Sequence, residues 1–554
     1  MTLARRVLGS WWVFGLGLVL AGRLRLLHVT TLSRTPFFST LAGDSASYDD
    51  WGQRIARGDW GTTPYFVDPL YPTLLGLLYR FAGRDLMLVR LAQVALALVT
   101  CAMVGLLAQR LAGAVARNVA VLAWAHLRPD LFNTGEVDKT ALGLALMSTA
   151  LVLVSKPGAP RIASGVLFGL ATLTRGNLAL AALVPAVFFV LEHRPRDAAR
   201  FIVALGLVIA PVTVRNRLVS GEWVLTTTGL GPNLYLGNNP GSGSGGYDAL
   251  PFVRPEAKYE QQDFQVAAER RAGRTLSSRE ASALWRQEAL RFIAANPGLT
   301  ARRLALKLWL LFNDFEQGDV IDPSALARFA PVLALPLPGV GLVTPFAALG
   351  LVVCLRRREA RVLLGFTATL ALSIAVFFVL ARFRAFLLPP LVAFAAAGVT
   401  WLARALMQRA WKVALPALAL LSVVALVSNW PPPAKKLAPA LGPLNLATIL
   451  ARTGDVAQAR ALVEESHRAA PHAAAPACAL AEHELLDGEV ARARTHVTEC
   501  LKADPDFRGA WALLARIERA DHHAEAACAA WRHQLDRTPG DEEVHAALSS
   551  SCTP

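Results

Sequence analysis

Arginines recur near the ends of the apolar runs in this chain: Arg128, Arg175, Arg215, Arg217, Arg382 and Arg384. Acids gather in two short stretches. One is "AGDSASYDDW", residues 42–51, with Asp44, Asp49 and Asp50; the other is "RPDLFNTGEVDKT", residues 128–140, with Asp130, Glu136 and Asp138. A positioned carboxylate can take the proton of an attacking hydroxyl or bind a hard cation. A guanidinium is a planar, permanently charged fork that matches phosphate oxygens. One arginine at a membrane surface is ordinary snorkelling. Arginines at four separate places along the chain point to a shared anionic ligand, with lipid-headgroup contacts as the competing reading.

Structural roles compete for the same residues. Asp44, Tyr48, Trp51 and Ile55 recur at helical spacing and share a face, and Asp44, directly after Gly43, reads from spacing alone as a helix cap. Asp50 with Arg54 reads as a solvated i,i+4 pair, and Asp49 is open. In "DPLYPTLLGLLYRF" Asp68 reads as a cap before Pro69. Residues 277–312 read as helix broken at Asn296-Pro297, with Arg302, Arg303 and Lys307 interfacial. "GSGSGG", 241–246, fits GxGxxG, but no βαβ unit surrounds it, so a nucleotide fingerprint is rejected. Eight of the eleven histidines lie after residue 430; solvated helix faces are favoured over metal binding there, His522, His523 and His533 included. No cysteine pair has CxxC spacing. Cys478, Cys500, Cys528 and Cys552 read as buried thiols, with disulfides in an oxidising compartment as the alternative.

The elements that must position these groups are apolar. The 554 residues are 54% hydrophobic and 18% charged, against about 25% charged in soluble domains, and the mean hydropathy is +0.40. Apolar runs at 8–29, 86–108, 113–127, 140–154, 162–173, 177–191, 201–217, 332–354, 362–380, 386–403 and 413–429 predict eleven crossings. The first run has no convincing cleavage site and reads as a retained anchor. With the N-terminus inside, Arg5 and Arg6 start a basic series. It continues through Arg110, Arg117, Lys156, Arg161, Arg194, Arg196, Arg200, Arg356, Arg357, Arg358, Arg361, Arg404, Arg409 and Lys412, as positive-inside loops require. Segments 30–85, 128–139, 174–176, 218–331, 381–385 and everything after Trp430 are then outside, in the extracytoplasmic space. Residues 431–554 carry a net −4 and the rest +19. That imbalance reflects topology, and there is no nucleic-acid-binding motif.

After "NWPPPAKK" a 34-residue period appears: Gly454 and Gly488; Ala459, Ala493 and Ala527; Pro471, Pro505 and Pro539; Leu446, Leu480 and Leu514. This is the period of tetratricopeptide repeats, helix pairs that bury their faces by stacking and offer a groove to a protein partner. The expected fold class is therefore all-α: a polytopic transmembrane helical bundle with extracytoplasmic loops and a C-terminal tetratricopeptide α-solenoid. The expected domains are 1–217, a membrane module with the first outer loop 30–85; 218–331, a large outer loop; 332–430, further spans; and 431–554, the repeats.

From about residue 8 to 430 the chain resembles the GT-C membrane glycosyltransferases, particularly the bacterial group similar to protein mannosyltransferases and the aminoarabinose–lipid A transferase. The resemblance is carried, in order, by "GDSASYDDW", "DPLYPTLLGLLYR", "TGEVDKT", "GLATLTRGNLAL", "PVTVRNRLVSGEWVL", "GPNLYLGNNPGSGSGGY" and "ARFRAFLLPPL". Many relatives have Arg-Pro where this chain has Arg175-Gly176. The resemblance implies inverting transfer of a sugar from a polyprenyl-phosphate donor to a hydroxyl of a lipid, glycan or protein acceptor, on the outer face of an inner (plasma) membrane. It implies Asp44 as base and Glu136 or Asp138 as acceptor-orienting or metal-binding acid. Arg382 and Arg384, then Arg175 and Arg215, would bind the donor phosphate, whose growing charge they would stabilise. Tyr48, Tyr71, Asn238 and Tyr247 are further outer-loop candidates. A divalent metal is an open cofactor. The alternatives are a lipid-diphosphate-dependent glycan ligase or polymerase, and a non-enzymatic transporter or assembly scaffold. A transporter would place its charges at the bilayer midplane between inverted halves, which this sequence does not show.

Overall fold

In the computed structural model, which describes residues 7–156, 161–254, 257–318, 320–436 and 438–552, every regular element among the described residues is helical. Arg5 and Arg6, the start of the basic series, lie outside the described residues. Among the described residues six helices are long and apolar enough to cross a membrane: Trp11–Leu32, Leu86–Ala112, Pro195–Ser220, Arg358–Val376, Ala381–Met407 and Trp411–Asn429. Eleven crossings were expected; six candidate spans by length and composition are found among the described residues. The other five segments are shorter apolar helices, Ala114–Ala125, Thr140–Ser155, Arg161–Thr174, Leu178–Leu191 and Val340–Cys354. At about 1.5 Å per residue they fall short of a hydrocarbon layer of about 30 Å. Each of them contributes buried side chains to one large core shared with the longer helices. The expected run 332–354 was also too long: "LPLPG" keeps residues 335–339 out of the helix, which starts at Val340.

Segments expected on one side of the membrane do meet. At one end Arg358 pairs with Glu192, and Arg161 and Arg194 face Asp197. At the other end Asp68 accepts from Lys139 Nζ at 2.6 Å and from the Gly176 amide at 3.0 Å, joining the first loop to residues 139 and 176. There Arg128 also reaches Glu316 at 3.1 Å.

Two short helices in the first loop, Gly43–Ala56 and Leu70–Ala82, pack side by side. Tyr48, Tyr71, Leu75 and Tyr79 form their shared core with Leu86, Val89 and Val137. The contact is close because Gly76 lies where a Cβ would meet Ile55, with its Cβ atom 2.6 Å away. Asp49 is buried here, accepting from Tyr79 Oη at 2.7 Å and Arg84 Nε at 3.0 Å. It is a structural tie between the helices. Asp50 is exposed, and Arg54 pairs with Asp59 at 3.5 Å instead of with it.

The helix break at 296 is as expected, with Ser278–Ala295 followed by Pro297–Phe312. Its basic residues are less interfacial than expected. Lys307 is buried and donates to the carbonyls of Gly237 and Phe377 at 2.8 and 2.5 Å, while Arg303 holds Asn239 and Pro240.

The tail is helical throughout its described residues, from Ala438–Arg452 to Glu542–Ser551, each helix packing on the next. Its first helices share an apolar core with Leu32, Phe37, Leu131 and Leu326. Arg508 donates to the carbonyls of Val253 and Arg254 at 3.2 and 3.3 Å. The buried-thiol reading of its cysteines is corrected. Cys478 pairs with Cys500 and Cys528 with Cys552, with Cα–Cα separations of 5.3 and 5.8 Å. Cys101 and Cys354 are free and buried, as expected.

Candidate active site

Asp44 stands in the first turn of the 43–56 helix but does not cap it; the cap position is Ala42, with no side-chain cap bond. Its carboxylate accepts instead from Arg382 Nη1 at 2.6 Å. Gly43 sets the approach. Its φ of +56° is left-handed, where glycine is favoured, and a Cβ there would overlap a γ-methyl of Val320. Burial alone would raise the Asp44 carboxyl, but Arg382, Lys139 and Arg175 outweigh it and hold the group below the ordinary carboxylate range. The Asp44 side chain still keeps 32% of its surface open, so a substrate can reach it.

Arg175 enters from the turn between the helices 161–174 and 178–191. Its guanidinium lies 4.2 and 4.9 Å from the ring centroids of Phe383 and Phe386, a cation–π shelf. Burial and the like charge of Arg382 lower its pKa to about 10, so it stays charged at neutral pH. Its Nε and Nη2, and the hydroxyl of Tyr48, are buried with no hydrogen-bond partner among the described residues. An unpaired buried donor costs about 1–3 kcal/mol, so each such group calls for an explanation, a ligand being one.

Asp138 belongs to the same cluster. Its oxygens accept from the Thr140 amide at 2.8 Å and Thr140 Oγ1 at 2.7 Å. Burial raises its pKa, with Arg382, Thr140 and Arg175 opposing. Two members went unrecognised in the sequence. Lys139, buried beside Asp44, has its pKa lowered by burial against the pull of Asp68. Asp68, read as a cap, gives its carboxylate to Lys139 and Gly176; the helix it precedes begins at Leu70 with no side-chain cap bond. The signal for Lys139 was its place in "TGEVDKT", where only the acids were weighed.

Other expected members are engaged elsewhere. Arg384 donates to the carbonyls of Leu310, Asn313 and Phe315 at 3.3, 2.5 and 3.0 Å. Arg215 donates to those of Trp60, Gly61 and Thr63 at 2.7, 2.8 and 2.6 Å, with its guanidinium over Tyr65. Both brace loops, and Arg384 Nη2 is buried with no hydrogen-bond partner among the described residues. Glu136 is half-buried and interacts with Arg90. Tyr71 donates to Gln93 at 2.7 Å and packs edge-on against Tyr48. Asn238 donates to the carbonyls of Leu234 and Val376, and Tyr247 packs against Phe378.

The cluster is thus three carboxylates, Asp44, Asp68 and Asp138, among three cations, Arg382, Arg175 and Lys139. Asp44 is paired with Arg382, and both Asp138 oxygens accept from Thr140. The ligand group that could hold a metal ion among the described residues is in the tail, where ligand atoms of His467, His496 and Glu499 lie within 4.8 Å of one another.

No protein-family model and no curated protein matches this chain. Among solved structures, the chain is similar to the oligosaccharyltransferase of Archaeoglobus fulgidus in its apo form, at 14% identity and a TM-score of 0.42, over 78% of this chain and 56% of that one. It therefore spans little more than half the length of that enzyme. It is also similar to ArnT from Cupriavidus metallidurans in the apo state, at 15% identity and a TM-score of 0.42, over 88% of this chain and 80% of that one. The ArnT structure bound to undecaprenyl phosphate matches at 16% identity and a TM-score of 0.38, over 87% and 80% of the two chains.

Proposed function

We propose that this protein is an integral membrane glycosyltransferase that moves a sugar from a polyprenyl-phosphate donor to a hydroxyl of an envelope lipid, glycan or protein. The observation that carries this reading is the Asp44–Arg382 pair at 2.6 Å beside Arg175, whose buried nitrogens lack partners among the described residues. Arg382, Arg175 and Lys139 receive the donor phosphate. The phosphate then takes over Arg382 and releases Asp44 to accept the proton of the incoming hydroxyl. The acceptor oxygen forms the new bond to the anomeric carbon from the face opposite the phosphate. The old carbon–oxygen bond breaks with its electron pair left on the phosphate, so the configuration inverts. The leaving group is already an anion and needs no general acid. Asp138 orients the acceptor.

The site and tail are placed on the extracytoplasmic side of the inner membrane. Two disulfides in the tail support this, because disulfides persist in oxidising compartments. The domain divisions at 217, 331 and 430 are retained in this reading. The tail is read as tetratricopeptide repeats that engage a protein partner; its support is the 34-residue period, which puts Ala459, Ala493 and Ala527 at buried positions of every second helix.

The test is Asp44→Asn in membranes supplied with labelled lipid-linked sugar. Transfer should fall by roughly 10²–10⁴-fold at normal expression, the usual contribution of a positioned base. Undiminished transfer would remove Asp44 from the chemistry. Wild-type membranes with no transfer to any envelope fraction would favour the scaffold alternative.

A further inference from the structure

We propose that His467, His496 and Glu499 bind a zinc ion that clamps two successive helical hairpins of the tail together. His467 lies near the end of the helix Val456–Ala469, and His496 and Glu499 lie one turn apart on Val490–Ala503, a spacing that puts both on one face. Their ligand atoms lie within 4.8 Å of one another. Around a tetrahedral zinc with bonds of roughly 2.1 Å such atoms are about 3.4 Å apart, so the three side chains need only close in slightly on the ion.

Two further observations point to a metal rather than to a chance meeting of polar groups. His496 Nδ1 lies 2.6 Å from an oxygen of Glu484, whose side chain is fully buried. This is the outer carboxylate that fixes the ring of a ligating histidine and leaves its other nitrogen facing the ion. On the other helix, His467 Nδ1 is buried with no hydrogen-bond partner among the described residues, and the two rings sit edge-to-face with centroids 5.4 Å apart. Two imidazoles and one carboxylate are a ligand set that zinc accepts, with a fourth position left to water. Cys500, next to Glu499, is held in its disulfide with Cys478, so no thiolate competes. The disulfide joins the two helices of one hairpin, and the ion joins that hairpin to the one before it. This inference stands independently of the proposed transferase activity.

The experiment uses the full chain in detergent, without a histidine tag, stripped with chelator and then exposed to zinc alone. Wild type should retain one zinc per chain and gain thermal stability on loading. His467→Ala/His496→Ala should retain none above background, and Glu484→Gln should bind about 10–100-fold more weakly. Failure of wild type to retain zinc, or equal retention by the double variant, overturns the site. If the double variant loses its Cys478–Cys500 disulfide and so its fold, the exposed Glu499→Gln decides: weaker zinc binding supports the site, and unchanged affinity overturns it.

Discussion

Asp44 and Arg382 neutralise one another at 2.6 Å, and Arg175 sits by them with donors to spare. Arginines that looked alike in the sequence therefore separate into two kinds of variant. Arg175→Ala should weaken donor use, reducing kcat/KM by roughly 10²–10³-fold, the scale of a lost anion-stabilising donor. Arg215→Ala frees three backbone carbonyls in residues 60–63, so it should lower Tm and leave the KM for donor near wild type. Initial rates against lipid-linked sugar concentration distinguish the two. The sign of the pH dependence follows from the depressed carboxyl of Asp44. A group held below its unfolded value of 3.8 adds stability above that pH and loses it as pH falls through the folded value. The Tm difference between wild type and Asp44→Asn should therefore stay level from about pH 8 to about pH 5 and shrink only in stronger acid. Thermal melts in a buffer series check this. None of these partnerships is visible in a linear chain, because a carbonyl and a phosphate attract an arginine by the same chemistry.

At the scale of the element, the site depends on how the 43–56 helix enters. Gly43→Ala places a side chain in a left-handed conformation, at about 1–2 kcal/mol, and against Val320. The protein should still fold, while transfer falls by about a hundredfold, as sub-ångström to 1 Å displacements of reacting groups do. Adding Val320→Ala should restore part of it, read in the same transfer assay. Helices were the legible part of this protein. Apolar runs located them, and the break at Asn296-Pro297 was visible from proline alone. Span number was not legible, since a short run buried by other helices, such as Thr140–Ser155, has the same composition as one facing lipid. Asp68 shows the same limit: Asp before Pro suits a helix cap, and only the fold brings Lys139 and Gly176 to it.

For the whole molecule, separate stretches of sequence converge. The first loop, residues 138–140, the turn at 175 and the segment at 382 supply one cluster. The cysteine pairings were not legible in the sequence: separations of 22 and 24 residues have no motif, and helix packing alone brings the sulfurs together. The tail's attachment was equally hidden. Leu446, Ala447, Ile449 and Leu450 share a core with Leu32, Phe37 and Leu326. A gene cut at Trp430 would thus not yield a trimmed enzyme with a tidy rim. It would leave a greasy crown facing water, and such a product should be recovered as aggregates or degradation fragments, whereas co-expression of residues 431–554 as a separate chain should rescue it.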